Sequence, residues 1–247
     1  MSVLILALAA GAVVGLALGA LGGGGSVLAI PALIYLLGLS PAAATTASLF
    51  IVTATSATAL YAHARAGHVR WKAGAAFAAA GVVPAAAAGL VATRLPQAVL
   101  TAAFAALAAL AATRMLRPGP QEAPGEVRPL RAGGTGAGLG AVTGLLGVGG
   151  GFLAVPALVT VLAFEMQAAV GTSLLVITVN SLTSLVTRSG GAAGMDWAVT
   201  APFTGAAILG AWDGRRLAER VSGSGLQRLF AWVLLAVAAF MLVDALT

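Results

Sequence analysis

Apolar residues dominate the chain in eight long stretches, near residues 3–37, 42–63, 72–93, 97–116, 133–164, 168–187, 197–213 and 226–246. Most of the charge lies in the short runs between them, and the rest close to the ends of the stretches. Most stretches have the length of a membrane-crossing helix, about 20 residues rising about 1.5 Å each. The first does not fit: as one straight helix, 3–37 would reach about 52 Å against a hydrocarbon core of about 30 Å. The glycines from Gly22 to Gly25 in its middle predict a break. Stretch 133–164 has the same anatomy, with glycines from Gly147 to Gly151. Between the fourth and fifth stretches, segment 117–131 holds four of the ten prolines, a density that no helix sustains. The expected organisation is therefore a transmembrane repeat over 1–117, a linker over 118–131 and a second transmembrane repeat over 132–247.

Composition sharpens this picture. Of 247 residues, 60% are hydrophobic and 8% charged, with a mean hydropathy of +1.03. A soluble domain carries about 25% charged residues, so a single water-soluble globule is excluded and an all-α polytopic membrane protein is expected. The 33 glycines suit helices that pack backbone to backbone in lipid. The absence of cysteine excludes disulfides, thiolate metal sites and a Cys nucleophile. A net charge of +6 would suggest nucleic acid in a soluble protein. Here the basic residues lie between apolar stretches and aromatics are too scattered to stack bases, so no nucleic-acid partner is expected. No Lys or Arg precedes the first apolar run, which therefore reads as a retained membrane segment and not a signal peptide.

The two halves repeat one another. Gly22-Gly-Gly-Gly-Ser-Val-Leu-Ala-Ile-Pro31 returns as Gly147-Val-Gly-Gly-Gly-Phe-Leu-Ala-Val-Pro156, and Pro31 and Pro156 stand 125 residues apart. The same offset pairs Ser48 with Ser173, Thr53 with Thr178 and Ser56 with Ser181; Trp71 meets Trp197 with a shift of one. Charge then distinguishes two topologies. If each broken stretch crosses once, the repeats are parallel and Lys/Arg divide eight to five between the two faces. If each folds back as a hairpin, the repeats are inverted and eleven basic residues share one face, leaving only Arg94 and Arg188 opposite. The second division fits the positive-inside rule better. Inverted repeats with re-entrant, broken helices are expected, with the linker cytoplasmic and both termini periplasmic.

Function is expected at the hairpin tips. Irregular backbone at membrane depth survives only where protein buries it or a wet cavity meets it. After each tip a short helix restarts, and its first N–H groups lack intrahelical partners at the positive end of the helix dipole. Gly23, Gly24, Gly25 and Ser26 at one tip, and Gly149, Gly150 and Gly151 at the other, are the candidate cradle for a small anion. The helices that follow carry hydroxyl-rich faces. Thr45, Ser48, Thr55, Ser56 and His63 fall within an arc of about 100°, as do Ser173, Asn180, Thr183, Ser184 and Thr187. From these faces Ser48, Thr55, Ser173 and Asn180 are candidate neutral donors to the anion. Glycines that merely allow helix packing, and hydroxyls that glue helices together, remain the alternative readings. Pro31 and Pro156 should bend their short helices. Arg188 reads as a snorkelling anchor or an anion attractor, and His63 as a loop histidine on the cytoplasmic side.

All seven acidic residues lie in loops or near the ends of stretches, which disfavours a carboxylate-based cation pump. No catalytic triad or metal-ligand cluster is visible, and Gly149-Gly-Gly-Phe152 lacks the Gly-Lys-Ser/Thr of a nucleotide-binding loop. No enzyme activity, cofactor or metal is expected.

The duplicated Gly-Gly-Gly-x-Leu-x-x-Pro-x-Leu element at 149–158, its variant at 23–33, and the Thr/Ser-containing helix after each resemble the TauE/SafE sulfite exporter family. The stretches Gly89-Leu-Val-Ala-Thr-Arg-Leu-Pro96 and Gly210-Ala-Trp-Asp-Gly-Arg-Arg-Leu-Ala-Glu-Arg220 add to the resemblance, which covers essentially the whole chain. It implies an inner-membrane carrier of a small sulfur-containing anion such as sulfite or an organosulfonate. An anion channel and a non-transporting membrane scaffold stand as alternatives. In one place the chain departs from the pattern: the first copy has Ser26 where the second has Gly151.

Overall fold

The computed structural model describes residues 2–92, 96–117, 129–146, 151–187 and 196–246, and all regular structure among them is helical. The first half comprises α1 (Ser2–Leu21), α2 (Gly24–Pro31), α3 (Pro41–Arg65), α4 (Trp71–Ala92) and α5 (Gln97–Leu116). The second comprises α6 (Pro129–Leu146), α7 (Gly151–Thr160), α8 (Met166–Thr187), α9 (Trp197–Arg220) and α10 (Gly223–Leu246). Four helical segments are long and apolar enough to cross a membrane: Val3–Leu21, Ala43–Arg65, Met166–Val186 and Gly223–Phe240.

Local chemistry sets the boundaries. The expected break is present: α1 ends at Leu21, Gly22 takes φ +67°, and a new helix starts at Gly24. Pro31 closes α2, and the chain runs on into one π-helical turn, Ala32–Leu36. Ser40 caps α3, its Oγ accepting from the Ala43 N–H at 3.4 Å, and Asp196 caps α9 by accepting from the Ala198 N–H at 3.0 Å. α9 outruns its apolar stretch by two turns. Arg216 with Asp213 and Arg215 with Glu219, pairs three and four residues apart, make that extension a favourable polar helix.

Packing follows the glycines. An added Cβ at Gly11, Gly15 or Gly19 would fall on the carbonyl oxygen of Phe203, Ala207 or Ala211, so α1 and α9 run parallel with their backbones in contact. Gly136 and Gly140 meet Phe77 and Gly81 in the same way, so α4 and α6 also run parallel. These are equivalent contacts in the two halves, because Gly11 corresponds to Gly136 and Phe203 to Phe77 in the repeat register. α3 and α8 instead cross antiparallel: Ser56 meets Thr178, while His68, just beyond α3, meets Gly171. Exchanging the halves maps the principal helix pairs onto one another: α1–α9 becomes α6–α4, and α3–α8 and α5–α10 map onto themselves. The equivalence extends to the backbone. Gly38 and Ala163, 125 residues apart, both take left-handed φ, +68° and +52°.

The core is filled mainly by alanine, leucine and valine, whereas large apolar side chains such as Ile5, Val83 and Leu209 face outward. Such an exterior belongs in lipid.

Candidate functional site

The first glycine break is buried in protein contacts. Gly22 and Gly23 are both buried, and Gly24, Gly25 and Ser26 form the opening turn of α2. A Cβ on Gly22 would lie 2.5 Å from Ser173 Oγ of α8 and 3.3 Å from Val155 Cγ2 of α7. Only glycine tolerates both this φ and this approach. The break therefore touches the short helix and the hydroxyl-rich helix of the opposite half, and α2 and α7 are themselves in contact. Of the second glycine cluster, Gly149 and Gly150 lie outside the described residues, and Gly151 opens α7.

The candidate hydroxyls differ in place and state. Ser173 is buried, and its Oγ donates to the Val170 carbonyl at 2.8 Å. Ser48 and Thr55 are buried on α3 and donate to Thr45 O at 2.9 Å and Ile51 O at 2.6 Å. Each hydroxyl has one hydrogen, so donation to a ligand requires rotation away from the helix. Asn180 lies two turns beyond Ser173, in a small crevice with Phe77, Gly81, Gly136 and Gly140. The structure thus brings Ser173 to the first break and sets Asn180 elsewhere. Part of the hydroxyl face does hold helices together, since Thr178 Oγ1 lies 2.9 Å from Ser56 Oγ across the α3–α8 crossing.

His63 is not a loop histidine. It is 3% exposed, inside the last turn of α3, with Nε2 3.2 Å from the Gly19 carbonyl. Its ring centroid lies 6.0 Å from that of His68. Arg215 donates from Nη1 to Ala62 O at 2.6 Å and pairs with Glu219 at 3.2 Å. Together these side chains line a partly open crevice whose wall includes Ala20 and Val170, next to the Gly22 break. The sequence placed His63 on the polar face of α3 but gave no sign of Arg215, 152 residues away. Among the described residues no group of three or more His, Cys, Asp or Glu could hold a metal ion.

The sequence profile of the sulfite exporter TauE/SafE family matches residues 7–241. The chain belongs to this family. A protein of Xylella fastidiosa strain 9a5c, named "Probable membrane transporter protein", is 33% identical over 249 residues, spanning 97% of this chain and 95% of its own length. A protein of the same name from Xylella fastidiosa strain Temecula1 is 32% identical over the same shares. No solved structure matches the chain. The TauE/SafE profile takes in both glycine clusters and both hydroxyl-rich helices, so membership covers the whole architecture and is not confined to one half.

Proposed function

We propose that the protein is a secondary transporter that exports a small sulfur-containing anion, sulfite or an organosulfonate, across the bacterial inner membrane. The observation that carries this reading is the buried Gly22 break, pressed against Ser173 and Val155 of the opposite half. A broken helix that meets a buried interface between repeats is the arrangement that carriers use to hold an anion stripped of water. Ser173 stands three to four residues from the centre of α8, about 5 Å along its axis, which favours a site well inside the bilayer. The amides of Gly23, Gly24, Gly25 and Ser26 and those of Gly149, Gly150 and Gly151 hold the charge. Ser48, Thr55 and Ser173 donate after their hydroxyls rotate, and Asn180, two turns further along α8, donates from its amide further along the path.

The two repeats, 1–117 and 132–247, are inverted, and the linker over 118–131 is cytoplasmic. Supporting this, α3 and α8 correspond in the repeat yet cross antiparallel, and α1 and α6 pair with partners in opposite halves. The ends of α3, α5 and α9 and the starts of α4 and α10 carry Arg65, Arg70, Lys72, Arg114, Arg117, Arg215, Arg216, Arg220 and Arg228. The positive-inside rule puts that basic end in the cytoplasm and both termini outside. Rocking of one repeat against the other alternates access to the re-entrant tips.

The test is flux of radiolabelled sulfite and taurine-like sulfonates in proteoliposomes. Saturable flux of at least one such anion is expected, reduced about tenfold or more by Gly24→Val in protein that remains monodisperse, the loss expected for amide bonds to a charged ligand. Flux unaffected by Gly24→Val overturns the tip site. Ohmic single-channel current would instead establish a pore, and no flux of any sulfur anion would leave the scaffold reading.

A further inference from the structure

No charge lies within the apolar stretches that the helices bring together. Residues 1–62, which hold α1, the Gly22 break, α2 and nearly all of α3, contain no Asp, Glu, Lys, Arg or His. The same is true of 132–164 and 166–187, which hold the second glycine cluster, α7 and α8. The surrounding helices are equally bare over 73–93, 97–113, 197–212 and 229–243. Both short helices and every candidate hydroxyl therefore belong to uncharged stretches. The fixed charges carried toward the break are Arg215 and Glu219, which share a crevice with Ala20, His63, His68 and Val170. They pair with each other at 3.2 Å and so offset one another, and the crevice has room for no more than about one water.

Such an interior meets an anion with neutral groups alone. The free energy of taking an ion out of water rises with the square of its charge, so a dianion costs about four times as much as a monoanion of equal size. The compensation that two helix starts give is bounded. Each carries about half an elementary charge, so α2 and α7 together match at most about one negative charge. A second negative charge would stand without a counterion, where buried charges survive only when paired. We propose that the carrier is selective for singly charged anions: sulfite crosses as hydrogen sulfite, and an organosulfonate crosses when its sulfonate is the only charge it bears. Sulfate and thiosulfate, doubly charged near neutral pH, are refused although their size is similar. The inference rests on the transport reading and fixes the charge state of its substrate. Each hydrogen sulfite exported takes its own proton along and, on the far side, dissociates to sulfite and a proton as the local pH dictates. No carboxylate or histidine of the protein has to carry that proton.

Sulfite exchanges this proton near neutral pH, whereas methanesulfonate keeps a single charge throughout, so pH separates the two. Flux is measured in proteoliposomes with equal pH on both sides, and the leak of protein-free liposomes is subtracted. Raising the pH from about 6 to about 8 should raise the apparent KM for total sulfite about tenfold and leave kcat unchanged. Methanesulfonate flux should stay constant, and methanesulfonate, but not sulfate, should compete with sulfite at the lower pH. α2, α7 and α8 contribute no titratable group to the break. The titratable groups next to it are His63 and His68, with Arg215 and Glu219 beside them. His63→Gln, whose amide still serves the Gly19 carbonyl, should therefore leave the sulfite profile unchanged. Methanesulfonate flux falling in step with sulfite flux, or a sulfite profile abolished by His63→Gln, would assign the proton to the protein and overturn the proposal. Sulfite flux that rises with pH, or sulfate competing at least as well as methanesulfonate, would also overturn it while leaving a transporter of sulfur anions. Absence of flux for every anion removes the transport reading itself, and the charge selectivity with it.

Discussion

At the scale of single residues, Gly22 combines two constraints that are usually separate. Its φ of +67° disfavours any L side chain, and its Cβ position is blocked by Ser173 Oγ at 2.5 Å. Gly38 has nearly the same φ, +68°, but open space within 4 Å. Gly38→Ala should therefore lose only the conformational part, about 1–2 kcal/mol. Gly22→Ala should lose more, and adding Ser173→Ala should restore the difference but not the rest. Thermal unfolding in detergent measures all three; equal losses for the two glycines would show that Ser173 does not press on the break. The glycine cluster was legible in the sequence because its length argument needs only helix rise and bilayer thickness. Ser173 was legible as a polar position on a helical face. That its hydroxyl donates to Val170 O was not, because intrahelical back-bonding depends on a rotamer. The His63 crevice was less legible still: His63 and Arg215 are joined by the α3–α9 packing, which no local pattern encodes.

At the scale of elements, close helix approach stabilises the pairs. Composition alone favoured small residues at interfaces, yet the glycines that matter most for packing are Gly11, Gly15 and Gly19, spaced by four and so on one face of α1. They were visible in the sequence, though the tips drew the functional reading. Position decides what each glycine does. Gly15 lies against the Ala207 backbone, whereas Gly205, on the partner helix α9, has nothing within 4 Å. Gly205→Ala should be neutral or stabilising by about 0.5–1 kcal/mol, since alanine suits a helix interior better. Gly15→Ala should be destabilising by overpacking, about 1–3 kcal/mol, because the obstacle is backbone and cannot swing aside. Unfolding in mixed detergent micelles gives both values. A tolerated Gly15→Ala would mean that α1 and α9 sit further apart than described. The prolines led to the expectation of a bend in each short helix, but the two copies differ in form: a π-helical turn follows Pro31, whereas α7 passes Pro156 as an α-helix.

At the scale of the whole molecule, one geometric relation governs the transport reading: whether corresponding points in the two repeats face the same side of the membrane. Leu36 and Val161 are such a pair, 125 residues apart, and both are exposed, at 53% and 54%. Leu36 precedes α3 and Val161 precedes α8, and these helices cross antiparallel, so the two positions lie at opposite ends of the crossing. The native chain has no cysteine, and a single introduced thiol is therefore read without background. In right-side-out vesicles, Leu36→Cys should react with a membrane-impermeant maleimide and Val161→Cys only after permeabilisation. Ala66→Cys, in the loop after α3, should behave like Val161→Cys, because His68 in that loop packs on Gly171 near the start of α8. Labelling of Leu36→Cys and Val161→Cys from one face would make the repeats parallel, bring both tips in from the same side, and remove the symmetry on which alternating access depends. Labelling from opposite faces leaves each tip entering from its own side. The two tips can then serve one anion in turn, each reached from its own face.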